Sequence, residues 1–174
     1  MSALYQTMNN KNYWMGFNMN TAFETKDNKD EWLTPPYVWQ ALGHFDLDPC
    51  TPINPPWKIA DVNLNINDDG LMSKWFGFVW CNPPYGRETG KWLEQMKYHN
   101  NGIALIFART DTRMFQDHVF TADAILFLKG RLSFYDVHGV KGGTAGAPSC
   151  LVAYGYEAVK RLRECELPGR FILL

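Results

Sequence analysis

The chain has 174 residues, of which 46% are hydrophobic and 15% aromatic, and its formal net charge is −1. These values predict one globular domain with a substantial core and exclude a chain that is disordered throughout. They also exclude binding to nucleic acid through overall charge, so any DNA contact must come from a local basic face.

Cysteine usage and hydropathy point to a cellular compartment. The four cysteines have no C-x-x-C spacing and no histidine cluster beside them, so we predict reduced thiols and no metal site. No apolar run reaches membrane-spanning length, and the N-terminus lacks the apolar core of a signal peptide. We therefore expect a cytoplasmic protein without membrane contact.

The first part of the chain differs from the rest. Residues 1–28 are rich in Asn and Met and show neither helical nor alternating patterning, which predicts a poorly ordered N-terminal arm. Residues 29–174 form the predicted single domain.

Short apolar runs alternate with helical patterns along this domain. The predicted strands cover residues 45–48, 62–66, 77–81, 103–107, 124–128, 132–135 and 150–154. The predicted helices cover residues 36–42, 71–75, 88–98, 113–119 and 156–165, and the Gly-rich segment 139–146 is a predicted flexible loop. This alternation indicates an α/β fold with a mostly parallel sheet, helices on both faces and an antiparallel hairpin of 132–135 with 150–154 at one edge.

The motif Asn82-Pro83-Pro84-Tyr85 carries the chemistry. It follows the apolar run 76–81, and two successive prolines make the loop stiff and leave carbonyls without a continuing ladder. The Asn82 amide oxygen and the Pro83 carbonyl can both accept from one exocyclic amine, while the Tyr85 ring can lie against a base. This arrangement suits transfer of a group to the amino nitrogen of an extruded nucleobase.

A second string, Asn54-Pro55-Pro56-Trp57, has nearly the same spelling. No apolar strand delivers it to a sheet edge, whereas residues 82–85 follow a strand and precede a helix. Ligands bind at the carboxyl ends of strands in open α/β sheets. We therefore interpret Asn82 as functional and Asn54 as part of a rigid loop. The nearby Cys50 follows a strand that ends in a carboxylate. A cofactor rather than a base would lie there, which argues against a thiolate nucleophile at Cys50.

Together these residues resemble the phage-type Dam family of DNA adenine-N6 methyltransferases. The resemblance runs in order through residues 30–155, at the segments 31–36, 45–49, 68–71, 81–85, 109–112 and 128–134. It implies a Rossmann-like methyltransferase fold, S-adenosylmethionine as methyl donor, adenine in double-stranded DNA as acceptor, and a phage or prophage origin. The chain departs from the common pattern because no G-x-G loop follows its first predicted strand.

The resemblance also implies roles for individual residues. Residues 82–85 are the expected catalytic motif, and Asn82 also lies at the cofactor. Thr34-Pro35 and Asp48-Pro49 resemble elements that lie along the cofactor, and Asp69 rather than Asp68 resembles the acidic position near its adenosine. An alternative for Asp69 is a helix N-cap.

Contacts to DNA are assigned to Tyr85 of the motif and to residues outside it. We expect Tyr85 to stack on the base and Arg109, Arg131 and Lys141 to contact phosphate or orient the base, with Lys141 in the Gly-rich loop. Phe134 is either the opposite wall of the base pocket or a core residue.

Other functions stay open on the sequence alone. An RNA base or a protein glutamine can present a similar amine, and a non-catalytic nucleic-acid-binding relative can keep the fold. The target sequence, the oligomeric state and a role in protection from restriction are not determined.

Overall fold

The computed structural model describes residues 31–174, so the predicted N-terminal arm lies outside the described part of the chain. The strands are β1 (Leu47–Asp48), β2 (Val62–Asn63), β3 (Val79–Cys81), β4 (Gly102–Phe107), β5 (Ala124–Leu128), β6 (Ser133–Tyr135), β7 (Lys141–Thr144), β8 (Ser149–Tyr154) and β9 (Gly169–Leu173). The helices are α1 (Pro36–Gln40), α2 (Thr89–His99) and α3 (Tyr156–Glu164), with a 3-10 turn at Ile66–Asp68 and a π-helical turn at Phe115–Val119.

A seven-stranded sheet with the order β2-β1-β3-β4-β8-β5-β9 forms the centre, and β6 pairs with β7 in a separate small sheet. Strands β2, β1, β3 and β4 run parallel. Strand β8 is antiparallel to both β4 and β5, and β9 is antiparallel to β5 at the edge. The predicted mixed α/β fold with a mostly parallel sheet and an antiparallel edge is confirmed.

Helices cover both faces of the sheet because its central strands are apolar on both sides. In β4, Ile103 and Leu105 point into a core shared with α1 and α3, while Ala104 and Ile106 point into a core shared with α2. A strand buried on both faces reads as a continuous apolar run, which is why residues 103–107 were recognisable in the sequence.

Helix α2 forms where apolar residues recur at helical spacing. Trp92, Leu93 and Met96 are buried against the sheet, and the helix ends at Asn100, which adopts a left-handed conformation with φ 54°. This helix positions the loop that precedes it.

The predicted pairing of residues 132–135 with residues 150–154 is wrong. Residues 132–135 contribute β6, which pairs with β7 from the Gly-rich segment instead of with β8. Strand β8 lies in the interior of the sheet between β4 and β5, and it is therefore buried along its whole length. The predicted flexible loop contains a strand because Gly142 lets the hairpin approach the Trp32 ring, which lies 2.9 Å from where a Cβ would stand.

Two further elements differ from prediction. No helix forms at residues 71–75, because the chain turns earlier, at the 3-10 turn, where Asn65 and Asp68 cap each other's backbone. Strand β9 was missed, because a five-residue run with Arg170 in it gives little sign of strand before it pairs with β5.

Within residues 31–174, the helices are all too short or too polar to cross a lipid bilayer.

Candidate functional site

A cavity of about 520 Å³ opens at the carboxyl ends of β1 and β3, the edge where open α/β sheets bind ligands. Its wall is built from loops that follow these strands and from the segment before α1. The lining residues that the sequence had singled out are Thr34, Asp48, Pro49, Asp69, Asn82, Pro83, Pro84 and Tyr85. The structure therefore brings the predicted catalytic and cofactor residues, except Pro35, into one pocket.

The two ends of the Asn82 carboxamide differ in their hydrogen bonding. Its Nδ2 donates to the backbone carbonyl of Trp32 at 3.0 Å, which determines which end is the nitrogen. Its Oδ1 is buried and has no hydrogen-bond partner among the described residues. A buried acceptor in the wall of a pocket is suited to an N–H donor from a ligand.

The proline loop is fixed to α2 by a residue that sequence reasoning missed. Thr89, buried in the first turn of α2, donates through Oγ1 to the Pro84 carbonyl at 2.8 Å and accepts from the Gly86 N–H at 2.9 Å. A Thr at a helix start is a recognisable capping signal. The loop is therefore held by a side chain as well as by its prolines.

The Tyr85 ring stacks on Phe107, with ring centroids 4.3 Å apart and planes 19° apart. One face of the ring is thus covered by Phe107, and the residue also lines the pocket. The Tyr85 hydroxyl is buried without a partner among the described residues, and burial raises its pKa far above the ordinary value. The Tyr85 hydroxyl is therefore protonated at neutral pH.

Asp48 is a buried carboxylate at the end of β1. Its oxygens accept from the Cys50 N–H at 3.1 Å and the Thr51 hydroxyl at 3.0 Å. Burial raises the Asp48 pKa to about 6, and these hydrogen bonds only partly oppose the rise. Such a carboxylate favours a cationic ligand group, which would restore its charged form.

The acidic pair at residues 68–69 divides its roles. Asp68 accepts from the Asn65 N–H at 2.9 Å within the turn and does not line the pocket. Asp69 follows the turn in a left-handed conformation, φ 48°, and lines the pocket. The helix N-cap alternative for Asp69 is wrong, because it ends a 3-10 turn whose N-cap is Asn65.

A close backbone approach holds this loop against β1. A Cβ on Gly70 would lie 1.9 Å from the Pro49 carbonyl oxygen and 3.1 Å from the Trp92 ring. Only glycine fits there, so the Asp69 carboxylate is brought beside the end of β1.

Thr34 and Pro35 precede α1, and both are buried. Thr34 lines the pocket, is 1% exposed, and its Oγ1 has no hydrogen-bond partner among the described residues. Pro35 is the N-cap residue of α1.

Cys50 lines the pocket as well, with its sulfur 3.8 Å from that of Cys81. Burial, followed by the neighbouring Cys81, raises the Cys50 pKa well above its ordinary value. The thiol is therefore protonated at neutral pH, which argues against a thiolate nucleophile.

The predicted DNA-contacting residues other than Tyr85 do not line the pocket. Phe134 is 1% exposed and packs edge-on against Phe107, which matches its core alternative. Arg109 follows the carboxyl end of β4, Arg131 follows that of β5, and Lys141 begins β7. Arg131 and Lys141 are exposed and Arg109 is half-buried.

The pocket also contains aromatic residues that the sequence did not single out as site residues. Trp57 of the second Asn-Pro-Pro string lines it, whereas Asn54 is exposed in the loop with φ 52° and does not. The repeated spelling of residues 54–57 and 82–85 was the available signal.

Among the described residues, His44, Asp46 and Asp61 bring potential metal-ligand atoms within 4.8 Å of one another. His44 Nε2 and Asp61 Oδ1 are 3.0 Å apart on exposed side chains. This group lies outside the pocket lining.

Comparison with known families identifies most of the chain. The family model for DNA N-6-adenine-methyltransferase (Dam) matches residues 21–161. No curated protein and no solved structure matched the chain.

Proposed function

Since the chain belongs to the DNA N-6-adenine-methyltransferase (Dam) family, we propose that it transfers the methyl group of S-adenosylmethionine to the N6 amine of an adenine extruded from double-stranded DNA. The observation that carries this proposal is the Asn82 carboxamide, whose nitrogen is held by Trp32 while its buried oxygen has no partner within residues 31–174.

The pocket residues fit the proposed cofactor. S-adenosylmethionine supplies an electrophilic methyl group on a sulfonium when bound. The buried Asp48 carboxylate suits its ammonium group, the Asp69 carboxylate suits ribose hydroxyls, and the Thr34 hydroxyl offers a further polar contact. A Rossmann-like fold is supported by the location of this pocket at the carboxyl ends of parallel strands.

The role of the motif follows from the chemistry of the amine. The lone pair of an adenine amine is delocalised into the ring, so the nitrogen is a poor nucleophile. Oδ1 of Asn82 and the carbonyl of Pro83 would each accept one N–H, which concentrates the lone pair on nitrogen. These fixed dipoles also stabilise the positive charge that develops there, and no covalent enzyme intermediate is needed.

Positioning is the other contribution of this loop. The prolines and the Thr89 contacts hold the acceptors in place before the base arrives, and such alignment can contribute about 7–11 kcal/mol in the best cases. Tyr85 would hold the base against the face of its ring opposite Phe107, a stack worth roughly 1–3 kcal/mol.

DNA binding in this proposal uses the same edge of the sheet. Arg109 and Arg131 follow the carboxyl ends of β4 and β5, and the β6–β7 hairpin carries Lys141. These cations would contact phosphates around the extruded base. A phage-encoded enzyme acting in the cytoplasm of a bacterial host remains part of the proposal.

Labelled methyl transfer tests the proposal directly. Tritiated S-adenosylmethionine is incubated with the chain and with DNA, RNA or protein, and we expect label in DNA adenine only. Asn82→Ala should abolish detectable transfer, because the amine loses its acceptor.

The matched control is Asn54→Gly, which changes the other Asn-Pro-Pro string and preserves its left-handed backbone. We expect it to keep wild-type activity. Transfer to RNA or glutamine in place of DNA, or full activity of Asn82→Ala, would contradict the proposal. Methylation-sensitive sequencing of DNA from cells that express the chain then identifies the target site.

A further inference from the structure

Trp57 is a pocket residue whose indole N–H donor is not used by any residue that the structure describes. Its side chain lines the cavity, and its indole N–H is buried without a partner among the described residues. Leaving a buried donor unpaired has a free-energy cost. In the wall of a ligand pocket, the simplest compensation is an acceptor on the ligand.

The two ends of the pocket differ in chemistry. Asp48 and Asp69 both line the pocket, and Gly70 beside Asp69 lies against Pro49 and the Trp92 ring, which packs in the core on the α2 side of the sheet. Trp32, Ile59 and Tyr85 pack against the core on the α1 and α3 side. A carboxylate-lined end suits a cationic, hydroxyl-rich cofactor, whereas an aromatic end suits a flat base.

Trp57 belongs to the aromatic end through its contact with the β6–β7 hairpin. Its ring meets that of Tyr135 edge-on, with centroids 5.4 Å apart and planes 85° apart. Tyr135 in turn exchanges backbone hydrogen bonds with Leu33 at 2.8 and 3.0 Å. Strand β6 therefore contacts both Trp57 and the segment before α1.

The turn of the hairpin lies directly against the second Asn-Pro-Pro string. A Cβ on Gly139 would stand 3.1 Å from Pro56 and 3.4 Å from the Trp57 ring. Gly139 also has φ 77°, so glycine meets both requirements. The hairpin thus packs against Trp57.

We propose that Trp57 is a substrate-binding residue for the extruded adenine: its ring forms a wall of the base pocket, and its N–H donates to a ring nitrogen of the base. This inference rests on the proposed function. Adenine offers an amine donor and ring-nitrogen acceptors, and the pocket offers the complementary pair, the Asn82 oxygen and the Trp57 N–H. The arrangement recognises adenine by both kinds of group.

The test separates the N–H from the ring. Trp57→Phe keeps an aromatic wall and removes the donor, and Trp57→Ala removes both. Trp39→Phe is the matched control, because Trp39 in α1 is also half-buried, and its indole N–H also has no partner in the described part of the chain, but it lies outside the pocket. Steady-state kinetics give kcat and KM for DNA, calorimetry gives the affinity for S-adenosylmethionine, and thermal melting verifies folding.

We expect Trp57→Phe to lower kcat/KM for DNA about tenfold, as for a lost hydrogen bond. Trp57→Ala should lower it further, by about another tenfold for the lost stacking. Affinity for S-adenosylmethionine should stay at the wild-type value in both, and Trp39→Phe should match wild type throughout.

Several outcomes overturn the inference while the proposed function stands. One is Trp57→Phe and Trp57→Ala with wild-type kinetics on DNA. Another is weaker binding of S-adenosylmethionine with unchanged parameters for DNA, which would place Trp57 at the cofactor. Equal losses in Trp39→Phe would mark a structural effect. A wild-type chain that methylates no DNA would instead overturn the proposed function and this inference with it.

Discussion

At the scale of single residues, several buried polar groups that have no partner within residues 31–174 belong to residues that line the pocket. The Asn82 oxygen, the Thr34 hydroxyl and the Trp57 N–H are all buried and unpaired among the described residues, and all three residues line the same cavity. Native proteins leave few such groups, because each has a desolvation cost. Their convergence on one cavity indicates groups that a ligand completes.

The buried Asp48 carboxyl predicts a specific pH dependence of stability. Its pKa is raised to about 6 in the folded state by burial, above its ordinary value near 4, so folding favours the protonated form. The stabilisation by the neutral carboxyl is therefore full below about pH 4 and is lost as pH rises through about 6.

Asp48→Asn keeps the size of the side chain and removes its titration. Relative to this variant, wild type should lose up to ~3 kcal/mol of unfolding free energy between about pH 4 and pH 7. Urea denaturation of both proteins across that range measures the difference. A difference that stays constant with pH would show that Asp48 titrates at its ordinary value.

At the scale of elements, the β6–β7 hairpin organises one side of the pocket. It pairs with Leu33 through Tyr135, approaches Trp57 at Gly139 and approaches Trp32 at Gly142. Because the Trp32 carbonyl holds the Asn82 amide, the hairpin is connected to the catalytic motif through a single residue.

Adjacent glycines in β7 allow a controlled test of that connection. A Cβ on Gly142 would stand 2.9 Å from the Trp32 ring and 3.1 Å from the Phe134 carbonyl, whereas a Cβ on Gly143 would meet nothing within 4 Å. Gly142→Ala should therefore displace Trp32 and disturb Asn82, with an expected ten- to a hundredfold loss of kcat, roughly the effect of misplacing a reacting group.

Gly143→Ala is the neighbouring control, with expected wild-type kinetics. Both variants are compared by methyl-transfer rate and by melting temperature. Equal activity of the two variants would show that the hairpin contact does not support the motif.

At the scale of the whole molecule, attraction to DNA depends on where the cations lie and not on the net charge. The formal net charge is −1, yet Arg109, Arg131 and Lys141 all lie toward the edge that contains the pocket. Lys160 in α3 lines a groove with Asp123 and Leu174 at the opposite end of the sheet. DNA affinity should therefore depend on a few local cations.

The salt dependence of DNA affinity measures how many cations contact phosphates. If these three cations each neutralise one phosphate, the logarithm of the DNA association constant should fall with the logarithm of salt concentration at a slope of about −2.7. Lys141→Gln should reduce the magnitude of the slope by about 0.9, and Lys160→Gln should leave it unchanged. Fluorescence anisotropy at several salt concentrations gives both values, and a slope near zero would exclude phosphate contacts by these residues.

Much of the fold was predictable from local patterns. The continuous apolar run of β4 and the helical spacing of Trp92, Leu93 and Met96 in α2 are properties of short segments, and the structure confirms both. The pairing of β6 was not predictable, since β7 consists largely of glycine and threonine. These residues become a strand only because β6 pairs with them and the Trp32 ring packs against Gly142.

By itself, the sequence determined the fold class, the family resemblance and the Asn-Pro-Pro-Tyr motif at a strand end, because each depends on the order and spacing of nearby residues. Only the tertiary structure decided that Asp69 and not Asp68 faces the pocket, that Phe134 belongs to the core, and that Trp57 joins the pocket wall. Those outcomes depend on which distant segments pack together, and burial in three dimensions is set by contacts that spacing along the chain does not encode.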